Sequence, residues 1–408
     1  MNIHTTNKSL NKIIDELIIL FKKKQFNFLI EKAKEKTKEF PESFELYNLI
    51  GITFAEIKNI KEAFKYYQKA LIIGPKNFIS DFYLGSLYHD KNDLKNAIIH
   101  YKKSIKLNPN YFNSWFNLGV ASNNFQKPYD AIHAYENALG INPNHAETLN
   151  NLGTINHDIL QYEKSIEYYK QAIKSNPHFN ILYSNLALTY KDSGDFINSI
   201  KYYKLAIEKN PHDEAPLNQI GQLFRELNHL KVASIYFIKA IQLKPNSIRS
   251  NFNLACILID MGIYNHAKNL LNKIIKIDEE YVKAHLKLGD LNFYLGFYDK
   301  GLDNFLNAID IGKELELSFS LLNFYINYSP DMSAKEIFDY YKQYDQRFGL
   351  NLKTKWKSFP HPKTPKERLK IGYVSPDFKQ HSMQNFLLPT LINHNHHKFE
   401  IFAFAELK

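Results

Sequence analysis

Cysteine is almost missing from this 408-residue chain. Cys256 stands alone, which excludes an internal disulfide and suits a reducing compartment. Long apolar runs are missing too: no stretch approaches the roughly 20 residues needed to span a bilayer. The opening MNIHTTNKSLNKIIDELIIL has no apolar core followed by a small-residue cleavage site, so no secretory signal is expected. A cytoplasmic protein with no membrane contact is the expectation. Patches of one charge sign are also lacking. The net charge is +10, but the 52 basic residues are interleaved with 42 acids along the polar faces of helices. That pattern describes a solvated surface and argues against nucleic acid as a partner. With 44% hydrophobic content, the chain can bury a large core and more than one domain.

What the chain does have is a clock of 34 residues. Gly51, Gly85, Gly119, Gly153, Ala187, Gly221, Ala255 and Gly289 follow it, as do Pro41, Pro75, Pro109, Pro143, Pro177, Pro211 and Pro245. The stretch 112–145 shows the unit: two amphipathic segments of about four turns, a polar break at 123–128, and Asn142-Pro143 as the close. Numbering the unit from Phe112, position 8 is small and faces the second helix. Position 20 is small in every copy, from Ala63 to Gly301. Position 24 is aromatic in seven places (Tyr67, Tyr101, Tyr135, Tyr169, Tyr203, Phe237, Phe305) and fills the gap. Proline at position 32 has no amide hydrogen with which to continue the second helix. This period and pattern resemble the tetratricopeptide repeat (TPR), an all-α superhelix in which neighbours bury each other's apolar faces.

The clock divides the chain. Residues 1–43 read as a helical cap or degenerate repeat, with helices expected over 10–22 and 26–40. Residues 44–315 hold eight repeats, the last two decaying: Glu279 and Lys313 replace proline, Ile274 replaces a small residue at position 27, and Gly301 replaces alanine. Residues 316–357 read as linker helices, one over 315–328 and one starting at a Ser333–Glu336 capping box and stopping at Gly349. The three prolines of SFPHPKTPKER place a boundary at 358–368. From 369 to 408 the texture is strand (369–374), loop, helix (382–393) and strand (399–405), the opening of a parallel α/β sheet.

The segments LLNFYINYSPDMSAKEIFDYYKQYDQRFG, RLKIGYVSPDFKQHS and FEIFAFA, following TPRs, resemble the protein O-GlcNAc transferases in their bacterial and SPINDLY-like forms. The resemblance implies a TPR superhelix followed by a catalytic region of two Rossmann-like (GT-B type) lobes, of which 369–408 would be the incomplete start. It implies transfer of N-acetylglucosamine from UDP-GlcNAc to Ser or Thr of proteins, or of fucose from GDP-fucose in SPINDLY-like members, with no metal and no cofactor. It also implies His381 in the active site; the alternative from the residues alone is a loop histidine capping the helix at Ser382. The diphosphate cradle of these enzymes belongs mainly to the second lobe, so this chain alone is expected to be inactive, with UDP-GlcNAc a substrate of the complete enzyme only. A non-catalytic TPR scaffold is the competing reading.

Inside the array, position 6 carries Asn117, Asn151, Asn185, Gln219 and Asn253. Mid-helix asparagine is mildly unfavourable, so its recurrence needs a reason. A carboxamide offers both donors and an acceptor, matching a peptide bond, and a row of them could hold an extended acceptor polypeptide by its backbone. The other role for such a row is hydrogen bonding between stacked repeats. The transferases carry an asparagine ladder at this register. Position 13 carries Glu56, Asp90, Asp158, Asp192, Glu226 and Asp260. These acids either face the next helix N-terminus or form a stripe selecting basic side chains. His394, His396 and His397 lack metal-ligand spacing and read as a solvated turn. Cys256 reads as a packing residue. Proteins or extended peptides are therefore the expected partners, and a homo-oligomer is compatible with the chain.

Overall fold

The computed structural model describes residues 3–353, 369–374, 391–393, 395 and 397–404. It divides into two compact units, Met1–Leu322 and Asn323–Lys408.

The first unit is a solenoid of helix pairs. A cap of α1 (Ile3–Lys22) and α2 (Phe26–Glu39) comes first. Then follow α3 (Phe44–Glu56) with α4 (Ile60–Ile73), α5 (Phe78–Asp90) with α6 (Leu94–Leu107), and α7 (Phe112–Asn124) with α8 (Pro128–Ile141). Next are α9 (Ala146–Asp158) with α10 (Tyr162–Ser175), α11 (Ile181–Asp192) with α12 (Phe196–Lys209), and α13 (Glu214–Glu226) with α14 (Leu230–Leu243). The last pairs are α15 (Ile248–Asp260) with α16 (Tyr264–Ile277) and α17 (Val282–Tyr294) with α18 (Tyr298–Ile311). The helix pairs from Phe44 to Ile311 recur every 34 residues. The cap's first helix begins seven residues before Leu10, in a stretch with no apolar periodicity to announce it.

Six of the eight pairs close on a glycine and a ring, the others having Ala187 and Ala255 at that position. A Cβ at Gly119 would lie 2.5 Å from Tyr135, and one at Gly85 would lie 2.7 Å from Tyr101. The ring therefore lies on the first helix's bare backbone, and no side chain larger than hydrogen fits beneath it. Gly301 obeys the same logic in reverse, since the ring of Phe293 covers the space a Cβ would take. This explains the loss of alanine at position 20 in the last repeat.

The turn between the helices of a pair is left-handed at position 15 in every repeat: Lys58, Asn92, Gln126, Leu160, Gly194, Asn228, Gly262 and Gly296 all have positive φ. Proline at position 32 acts through its neighbour as well as its own nitrogen. It drives the preceding residue, such as Asn142 (φ −131°, ψ 87°), out of the helical region. Asp278 keeps that geometry with Glu279 following it, so the seventh repeat ends normally. The eighth does not: Gly312 turns left-handed at φ 77°, and the 34-residue clock stops there.

A second recurring bond joins repeats. The carbonyl at position 32 is taken by the side chain at position 4 of the next repeat: Trp115 Nε1 donates to Pro109 O at 2.8 Å, Tyr183 Oη to Pro177 O at 3.1 Å, and Asn251 Nδ2 to Pro245 O at 3.0 Å. His285 Nε2 meets Glu279 O at 2.9 Å. Indole, phenol, amide and imidazole do one job here, which is to satisfy a carbonyl left over by the helix end.

α19 (Leu315–Tyr325) follows, and the second unit continues with a 3₁₀ turn over Ile326–Tyr328. α20 (Ala334–Tyr344) opens on the expected capping box: Ser333 N donates to Glu336 Oε2 at 2.8 Å and Glu336 N to Ser333 Oγ at 3.3 Å. The helix does not stop at Gly349. It widens into a π-turn over Asp345–Gly349, with Leu350 N–H donating to Asp345 O, and continues as α21 (Leu350–Lys353). Gly349 does not take the left-handed φ that would end a helix. β1 (Leu369–Val374) and β2 (Phe399–Phe404) pair in parallel, Leu369 opposite Phe399 through Val374 opposite Phe404. The parallel pair is as expected. Of the helix expected over 382–393, only residues 391–393 fall within the described residues, Leu391 and Ile392 helical and Asn393 in a turn.

Candidate peptide-binding surface

The first helices of adjacent repeats touch across the array, and their side chains at positions 5, 6, 12 and 13 meet in register. At position 6 the carboxamides fall into two groups. Asn117 and Asn151 bond the buried phenol at position 24 of the preceding repeat; Asn151 Nδ2 donates to Tyr135 Oη at 3.2 Å. Asn185 and Asn253 instead donate to an asparagine at position 5 of the preceding repeat, Asn150 Oδ1 at 3.1 Å and Asn218 Oδ1 at 3.3 Å. Gln219 has its Oε1 buried without a hydrogen-bond partner. All five side chains are half-buried. Each bonded carboxamide spends one N–H on a neighbouring repeat, and Asn151 Oδ1 also accepts from Asn150 Nδ2 at 3.4 Å.

The phenols behind this row are strongly affected by burial. Burial pushes the Tyr101 hydroxyl up to about 12, moderated by hydrogen bonds to Ser86 and Asn117 and raised a little by Asp90. Tyr169 is likewise pushed up to about 12, with Thr154 at 3.0 Å opposing. Tyr135 rises for the same reason, with Asn151 opposing. They remain neutral hydroxyls at any physiological pH.

Position 13 reveals a partner that neither sequence reading named. The residue at position 12 of one repeat reaches position 13 of the next. His157 Nε2 lies 3.0 Å from Asp192 Oδ2, Lys191 Nζ 3.4 Å from Glu226 Oε2, and Arg225 Nη2 2.9 Å from Asp260 Oδ2. His89 Nε2 and Asn124 Nδ2 repeat the geometry at 3.2 Å without an acid. Lys191 also lies 3.4 Å from Asp192, and His157 Nδ1 lies 3.4 Å from Asp158. A run of polar and charged pairs thus links repeats four to seven. Asp158 keeps a side chain 64% exposed, and Asp90 is exposed with no ion pair among the described residues. The signal was present in the sequence as a basic residue 35 positions before each paired acid.

Cys256 is buried, and burial pushes its thiol up, with Arg225 and Lys287 opposing; a neutral packing thiol results. His381, His394 and His396 lie outside the described residues, and His397 is exposed. No helix among the described residues is long and apolar enough to cross a membrane.

A solenoid of paired helices with 34-residue spacing, small residues at 8 and 20 and a recurrent row of polar side chains on its first helices defines a class of repeat proteins. The tetratricopeptide repeat profile matches residues 44–77, 112–145, 146–179, 182–213, 216–247 and 248–281, and a second TPR profile matches 85–122. The chain belongs to the tetratricopeptide repeat proteins.

Among curated proteins it resembles the probable UDP-N-acetylglucosamine--peptide N-acetylglucosaminyltransferase SPINDLY of Hordeum vulgare, 31% identical over 80 residues. The match spans 20% of this chain and 8% of that protein. The Solanum lycopersicum protein of the same description is 26% identical over 82 residues, 20% of this chain and 9% of the relative. The matches therefore span under a tenth of these relatives' length. Among solved structures, MamA is 27% identical over 42% of this chain and 93% of its own, with a TM-score of 0.40. The Cut9–Hcn1 hetero-tetramer of the APC/C is 16% identical over 71% and 57%, with a TM-score of 0.42.

Proposed function

We propose that the array binds extended polypeptide by its backbone through the position-6 carboxamides, as the acceptor-binding part of a SPINDLY-like protein glycosyltransferase. The observation that carries the reading is the register of Asn117, Asn151, Asn185, Gln219 and Asn253. Side chains one repeat apart sit half-buried, and all but Gln219 are bonded to the preceding repeat. Fixing a carboxamide by one N–H orients its remaining donor and acceptor before a ligand arrives, which lowers the entropy lost on binding. Each new bond contributes about 0.5–1.5 kcal/mol, so selectivity for backbone over side chain comes from repetition. The SPINDLY matches and the parallel β1–β2 pair beyond the array support the transferase part of the reading. In that reading the donor is UDP-GlcNAc or GDP-fucose, the acceptor a Ser or Thr hydroxyl, and His381 lies beside the reacting sugar.

A second reading has its own observation. The bonds of Asn185 to Asn150 and of Asn253 to Asn218 are themselves bonds between repeats, as a plain TPR scaffold would need. The test is titration of an unstructured Ser/Thr-rich peptide, and of the same peptide with N-methylated amides, into the chain and its Asn151→Ala/Asn185→Ala/Asn253→Ala variant. About tenfold weaker binding by the variant, and by the methylated peptide, supports backbone reading. Unchanged peptide affinity with a lowered melting temperature assigns the row to repeat stacking. Transfer of labelled GlcNAc or fucose to the peptide by the protein as its host makes it, abolished by His381→Ala, tests the transferase part.

A further inference from the structure

The second helices of repeats five and six carry a face that the solenoid does not use. α14, LKVASIYFIKAIQL, contains no acid, and its exposed side sets Ile235 and Ile238 among Lys231, Lys239 and Gln242. Here only one side is covered, by Ala233, Phe237 and Ala240, while Ile235 is 52% and Ile238 44% exposed. α12 has one acid, Glu208, and exposes Ile197 by 84%, the most exposed large hydrophobic residue among those described. Ile200 and Tyr202 of α12 and Tyr236 of α14 pack against one common core cluster, so the two helices are neighbours. Along α12 runs a depression of about 410 Å³ lined by Ile197, Ile200, Lys201, Lys204, Leu205 and Glu208. By contrast, α10 one repeat earlier exposes Glu163, Lys164, Glu167 and Lys174, a mixed polar face.

From this apolar stripe flanked by lysines we infer that α12 and α14 form a second docking surface, taking an acidic amphipathic segment of a partner protein. Apolar side chains of the segment seat over Ile197, Ile200 and Ile235. Its carboxylates meet Lys201 and Lys204 on α12 and Lys231 and Lys239 on α14, which face solvent. Docking of an amphipathic helix uses this arrangement of apolar anchors and rim charge. The depression favours an inserted side chain over a flat bilayer surface.

The test uses the full chain and a labelled synthetic helix with Leu at i, i+3 and i+7 and Glu between, followed by fluorescence anisotropy. Its twin has Lys in place of Glu. The acidic helix is expected to bind, and the Lys201→Glu/Lys204→Glu and Ile197→Asp/Ile235→Asp variants each to weaken it about tenfold. Lys164→Glu on α10 leaves it unchanged, and the basic twin binds more weakly than its acidic partner. All substituted residues are exposed, and circular dichroism checks that each variant keeps its helix content. Absence of binding, equal binding of the two helices, or indifference to the charge reversal overturns the inference. So does sedimentation with phosphatidylcholine–phosphatidylserine vesicles that the same variants abolish, which assigns the face to lipid. Self-association dissolved by Ile197→Asp assigns it to a second copy of the chain.

Discussion

Six glycines at position 8 each lie under an aromatic ring, and two substitutions separate that packing role from helix propensity. Gly119→Ala places a methyl 2.5 Å from Tyr135 and has nowhere to go; it should cost about 1–3 kcal/mol by overpacking. Gly140→Ala sits in the last turn of α8 with nothing within 4 Å and should stabilise by up to about 1 kcal/mol. Denaturant midpoints of the two variants moving in opposite directions would check this; movement in the same direction would contradict it. At position 15, Leu160 holds φ 62° while 69% exposed. Leu160→Gly should gain about 0.5–1 kcal/mol, because it relieves a left-handed backbone at little packing loss. The glycine series was plain in the sequence, since its spacing is exact. The left-handed turn was not, because Lys58, Gln126 and Leu160 occupy it as often as glycine does and carry no turn signal of their own.

For whole elements, helix identity was legible because apolar periodicity and the proline clock agreed, and the capping box fixed the start of α20. The end of that helix was misread at Gly349, since glycine stops a helix only where the chain takes positive φ. The candidate surface was half legible. Position 6 showed its carboxamides, but their partners lie 16 residues back for Asn151 and 35 back for Asn185 and Asn253, distances that no local pattern reports. The charge run between repeats has a measurable weight. A double-mutant cycle on Arg225→Ala and Asp260→Ala should give a coupling of about 0.2–1 kcal/mol, shrinking in high salt because both side chains are partly solvated. A coupling of zero at low salt would remove that pair from the account of repeat stacking.

For the molecule as a whole, the buried phenols set an alkaline limit. Tyr101 and Tyr169 titrate near 12 when folded and near 10 when unfolded. Their folded pKa values are raised, so the stability they contribute is complete below about pH 10 and is lost as pH climbs toward 12. Each represents about 2–3 kcal/mol over that window. Thermal melts from pH 8 to 12 should show the loss, and Tyr169→Phe should flatten it; an unchanged profile would show that the phenols are open to solvent.

The bond from position 4 back to the carbonyl of position 32 has one more effect. With six residues from acceptor to donor in each of four junctions, the connection has no slack to hide an added residue. A single insertion between Pro109 and Trp115 would unlatch the indole and throw every later helix pair out of phase. Arrays of this kind should therefore grow and shrink by whole units, and tolerate stray insertions only where no such latch has to close.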